Sequence, residues 1–156
     1  MQFRSIDDLL GAGLLERKPP DPLCVARWLD RSRADLDLAA NVLAPIDPER
    51  AIGVAYEAGY RACAGVLILD GLRVTSQPGH HRATLEGVAA VLGASSRPLL
   101  RRLDSARRFR NDSLYGDVRP AGKDELRQAL VDARAAVEEL ATRLGALPPP
   151  TTQDVE

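Results

Sequence analysis

Cysteine, histidine and lysine are nearly absent from this 156-residue sequence: Cys24 and Cys63, His80 and His81, and Lys18 and Lys123 are all it has. The two cysteines lie in unrelated surroundings, so they give neither a disulfide framework nor the paired spacing of a zinc site. A reducing, cytoplasmic setting fits them, and neither a metal nor another cofactor is expected. Long apolar runs are missing as well. None approaches the roughly eighteen residues of a bilayer span, and MQFRSIDDLL carries acids where a signal peptide would be apolar. Export and membrane insertion are therefore disfavoured. Charge of one sign is also absent, because 21 Lys+Arg balance 22 Asp+Glu to a net -1. No global field draws the chain to nucleic acid or anionic membrane, and any attraction to phosphate must be local.

What is present is ordinary for a folded protein: 45% hydrophobic and 28% charged residues, in a length that suits one compact domain. Alternating β-branched runs are scarce, whereas Pro and Gly cut the chain into blocks with three- and four-residue apolar spacing. The pattern predicts an all-α, up-down four- or five-helix bundle. Residues 1–20 form a lead-in with a short helix capped by Ser5, residues 21–145 the bundle, and residues 146–156 a disordered Pro-rich tail. Asp21–Pro22 and Asp47–Pro48 read as a cap followed by a first-turn proline. They open helices over about 22–43, which Pro45 stops, and 48–70. A third helix runs from His80 to Leu92 before Gly93. A fourth opens with Ser96 and Pro98 and ends near Tyr115 and Gly116. A fifth spans about 123–144 before Gly145.

The fourth helix concentrates charge. Between Arg97 and Arg110 lie six arginines against one acid, Asp104. A guanidinium binds phosphate oxygens bidentately and stays charged at any relevant pH, so Arg102, Arg107, Arg108 and Arg110 are candidate contacts for RNA or a nucleotide. The competing reading is a compositional bias, since nineteen of the 21 basic residues are arginine, with carboxylates on neighbouring helices pairing them. Arg110, Asn111, Asp112, Ser113 and Tyr115 add a run of polar functions at the helix end. An arginine that clamps a phosphate, an amide that orients it and a proton carrier would suffice for metal-free RNA cleavage by the 2'-hydroxyl. Fraying or capping explains Asn111 to Ser113 equally well, and Tyr115 could simply pack its ring.

The segments AYEAGYRACAGVLILDGLRVT, GHHRATLEGVAAVLG and LDSARRFRNDSLYGD together resemble the HEPN domain superfamily of small helical proteins, over about Asp21 to Leu144. The resemblance implies a bundle that dimerises with its arginine-bearing helices facing each other across a cleft, often as a metal-independent endoribonuclease. Many members are toxins paired with a nucleotidyltransferase-type antitoxin. On this resemblance Arg110 matches the family arginine and Asn111 the polar residue after it. In the family a histidine follows that arginine after four to six intervening residues, where this chain has Tyr115, Gly116 and Asp117. A tyrosine titrates near pH 10 and is a poor base at neutral pH. The modified tyrosine of AMP-regulated toxins has no counterpart, its place being taken by Asp117.

His80 and His81, at the start of the third helix, are candidates to bind anions or to replace the missing proton carrier, although adjacent helical residues diverge too far to make a metal site alone. Tyr56 and Tyr60, one turn apart, suit either a core or a base-stacking platform. Two function classes follow: a homodimeric HEPN-like toxin-antitoxin component that binds RNA or nucleotide through Arg110, Asn111 and the neighbouring arginines, with possible catalysis at Arg110, Asn111 and Tyr115, or a noncatalytic module that binds a partner such as a nucleotidyltransferase. A DNA-reading regulator ranks last, for want of an exposed recognition helix.

Overall fold

The computed structural model of the chain describes residues 1–115 and 120–148. Its order is α1 (Ile6–Gly11), β1 (Leu15–Arg17), α2 (Pro22–Leu38), α3 (Pro48–Leu69), β2 (Leu72–Val74), α4 (His80–Leu92), α5 (Arg97–Tyr115) and α6 (Lys123–Gly145). The molecule is an all-α helical bundle with one small two-stranded ladder.

Helix starts follow local chemistry. Ser5 and Asp8 form a reciprocal capping box at α1, and the hydrogen bonds from Ser5 hold the Asp8 carboxyl below its ordinary range. Asp21 and Asp47 each accept the backbone N–H three residues on, ahead of a first-turn proline. After Leu38 the chain continues for one π turn, Ala39–Leu43, closed by Ala44 N–H donating to Ala39 at 2.9 Å. Pro45, lacking an N–H, follows. Ser96 does not open α5 as expected. It closes a 3-10 turn, Ala94–Ser96, and its hydroxyl donates to the Gly93 carbonyl at 2.7 Å.

α3 is the central element, packed against α2, α4, α5 and α6. A face of small residues, Ala51, Ala55, Ala58, Gly59, Ala62 and Gly65, is buried and lets those helices approach closely. At Gly59 a Cβ would lie 3.2 Å from the Ala133 Cα of α6. By length and composition α3 would also suffice to cross a bilayer, but 67% of that window is buried within the bundle.

The ladder was not expected. β1 and β2 pair antiparallel in the register Leu15 with Val74, Glu16 with Arg73 and Arg17 with Leu72. Gly71 turns the chain from α3 into β2 with φ +75, a left-handed conformation that glycine adopts without steric cost. Leu9 and Leu15 from the lead-in are buried in the same core as the bundle. Of the expected tail, residues 149–156 lie outside the described residues, as does Gly116, the expected stop of α5.

Candidate functional site

Three helices bring aromatic, imidazole and guanidinium groups together. On α3, Tyr56 and Tyr60 are one turn apart and point toward the start of α4. The Tyr56 hydroxyl lies 2.9 Å from His81 Nδ1, and the Tyr60 hydroxyl 3.1 Å from Thr84 Oγ1. The Tyr60 ring stacks on His81 at 4.4 Å between centroids, and the His80 ring lies tilted against His81 at 4.5 Å. The tyrosines therefore stack on a histidine of the chain itself; Tyr56 is fully buried, as a core reading expects, whereas Tyr60 is half-buried.

His81 is half-buried, and its pKa is lowered. Burial is the main cause; His80, Arg107 and Arg110 push the same way, while the Glu57 carboxylate opposes them. The ring is thus biased toward neutral imidazole. Burial pushes the Tyr56 phenol far up, and that of Tyr60 up as well, so both remain protonated. Two tautomers satisfy the Tyr56–His81 contact. A proton on Nδ1 donated to the phenol oxygen leaves Nε2 a base, whereas a phenol donating to Nδ1 leaves Nε2 carrying the proton. The neighbouring ring is more constrained: a carbonyl only accepts, so His80 Nδ1 donates to Gln77 at 3.1 Å.

Arg110 reaches the same cluster from α5. Its stem passes over Gly53, where a Cβ would lie 3.7 Å from Arg110 Cγ, and its Nη2 is 2.9 Å from Glu57 Oε1. The pair is not sealed, since the side chains are 33% and 37% exposed. It borders a cleft of about 700 Å³ between α2 and α3, where Arg50, Arg61 and Arg110 alternate with Asp35, Glu49 and Glu57. Asn111 is half-buried and Asp112 exposed. Tyr115 belongs to α5, but its side chain lies outside the described residues.

The remaining arginines divide. Arg107 and Arg108 both donate to Asp104, at 2.9 and 3.0 Å, and Arg107 lies within electrostatic reach of His81. Arg102 turns instead toward α6, where its Nε–H is shared between the two Asp132 oxygens at 2.9 and 3.1 Å. It lines a separate apolar cavity of about 200 Å³ with Ile52, Ala106, Phe109 and Ala129. Arg97 and Arg101 both stand over the Phe3 ring at 5.2 Å. The positive excess along α5 is therefore answered in good part by Glu57, Asp104 and Asp132. Of these, Glu57 and Asp132 come from other helices. No pattern in the sequence marks them, because the pairing spans 53 residues in one case and 30 in the other.

Among the described residues, no group of three or more His, Cys, Asp or Glu side chains could hold a metal ion. Cys63 is buried, and burial pushes its thiol up to about 12, so it offers no nucleophile. Comparison with family models, curated proteins and solved structures gives no match.

Proposed function

We propose that this chain is a HEPN-like, homodimeric component of a toxin-antitoxin type system that binds RNA or nucleotide phosphate at the Arg110–His81 cluster and cleaves RNA without a metal. One observation supports the reading: His81, at the start of α4, lies within electrostatic reach of Arg110, where it would supply the imidazole absent after that arginine in sequence. A neutral His81 takes the proton of a ribose 2'-hydroxyl. The 2'-oxygen forms a bond to phosphorus, the bond to the 5'-oxygen breaks, and that oxygen takes up a proton, leaving a cyclic phosphate and a 5'-hydroxyl. Arg110 stabilises the charge that grows on the phosphorus oxygens. Tyr56 fixes the imidazole without exchanging charge, because its phenol stays protonated.

A second reading is favoured by a separate observation. Arg102, Arg107, Arg108 and Arg110 are each paired with a carboxylate of the same chain, as a noncatalytic module that binds a nucleotidyltransferase-type partner would allow.

Incubating the purified protein with RNA in EDTA separates the two. The first reading expects cleavage that survives chelation and disappears in Arg110→Ala and His81→Gln. Glu57→Gln tests whether Glu57 competes with the ligand. A pair this exposed is worth at most about 1 kcal/mol, so its removal should tighten RNA binding by up to about fivefold. Intact RNA with wild-type protein, and no gain in Glu57→Gln, would leave the interaction module.

A further inference from the structure

Arg107 also lines a third concavity, about 250 Å³, walled by Met1, Gln2, Arg82, Asp104, Arg107 and Arg108. Its charges are layered. Of the lining side chains the Asp104 carboxylate is 6% exposed and the guanidiniums more so, with Arg107 25%, Arg82 48% and Arg108 62% exposed; Arg82 is anchored in turn by Glu86, buried behind it at 1%. Arg82 Nε donates to Glu86 at 3.0 Å, Arg107 Nε to Asp104 at 2.9 Å and Arg108 Nη2 to Asp104 at 3.0 Å. Each of these bonds uses one nitrogen of a group with five N–H donors, and so orients the guanidinium while leaving further donors for a ligand. Three guanidiniums and one carboxylate line the concavity, leaving two positive side-chain charges in excess.

We infer that this concavity is a phosphate subsite. Three anchored guanidiniums on two helices converge on a space that admits a tetrahedral anion, and arginine forks match its oxygens in pairs. Arg107 links the two sites, because it lines this concavity and also acts electrostatically on His81. An RNA strand whose scissile phosphate sits at Arg110 would place a flanking phosphate here. The phosphate of a free mononucleotide has the same chemistry. The RNA case rests on the function proposed above, whereas the anion site does not.

The test uses the full chain and three probes: inorganic phosphate, 5'-AMP and a short single-stranded RNA, each titrated against wild type, Arg108→Gln and Arg82→Gln. In Arg108→Gln, Asp104 keeps Arg107, and in Arg82→Gln, Glu86 keeps Arg4, so thermal melts can verify that both variants fold. Phosphate and 5'-AMP should bind wild type and weaken about tenfold in either variant. The salt slope of RNA binding should fall by about 0.7 for each arginine removed. Phosphate and 5'-AMP bound by wild type and lost in the variants, with no RNA bound at all, would support a nucleotide subsite while refuting the ribonuclease reading. Phosphate affinity and RNA salt slope unchanged in both variants would overturn the subsite and leave the Arg110 reading to its own test.

Discussion

Arg110 and His81 pull against each other electrostatically, and Glu57 is the group that reconciles them. A guanidinium near an imidazole disfavours its protonation, while the Glu57 carboxylate, paired with Arg110, favours it. On the function proposed above, a phosphate bound at Arg110 would add an anion beside His81, and so would raise its affinity for a proton. The free protein offers a measurable consequence. An unfolded histidine titrates near its ordinary value of 6.5, and folded His81 titrates below it. Between the two values the unfolded chain holds a proton that the folded chain refuses, so stability rises with pH across that window and is eroded as pH falls below about 6.5. Urea midpoints measured from about pH 7.5 down to about pH 5.5 should fall, and His81→Gln should flatten the trend. An equal slope in the variant would assign the effect elsewhere.

At the level of elements, the starts of α2 and α3 were legible because an Asp-Pro pair supplies both an acceptor and a preset φ. The start of α4 at His80 and its end before Gly93 were likewise plain. The ladder was not, because three residues per strand are too few for a period to show. Nor could periodicity reveal that α3 carries a small-residue face closely approached by α6. It marks which positions are apolar, and says nothing of how near the partner's backbone comes. That approach makes a specific substitution costly. Gly59→Val would place a branched side chain against the Ala133 backbone, which cannot move without displacing α6, and should destabilise by about 3 kcal/mol. Urea denaturation checks it, and a loss below about 1 kcal/mol would mean that α6 yields easily.

Over the whole molecule, arginine has a constructive role beside the binding role proposed above, and sequence could not divide the two. The α5 cluster reads as one basic patch, yet its guanidiniums face different neighbours: Arg102 toward Asp132, Arg110 toward Glu57, Arg107 and Arg108 toward Asp104. The histidine that completes the candidate site was visible as a residue, but its neighbours Tyr56, Glu57 and Arg110 come together only through tertiary packing. The constructive role is clearest at Glu86, buried on α4 between Arg82 of its own helix and Arg4 of the lead-in, at 3.0 and 2.6 Å. This triad ties residues 1–20 to the bundle, and its energetics are asymmetric. Arg4 and Arg82 are 38% and 48% exposed and regain water when unpaired, whereas Glu86 does not. Arg4→Met alone leaves Arg82 on the carboxylate and should cost about 1 kcal/mol. Replacing both arginines by Met strands a buried charge and should cost roughly 3–5 kcal/mol. Adding Glu86→Met to that double variant removes the stranded charge, and urea denaturation should then recover most of the loss. If the triple variant were no more stable than the double, the destabilisation would come from lost arginine packing, and the buried carboxylate would not be what holds the lead-in to α4.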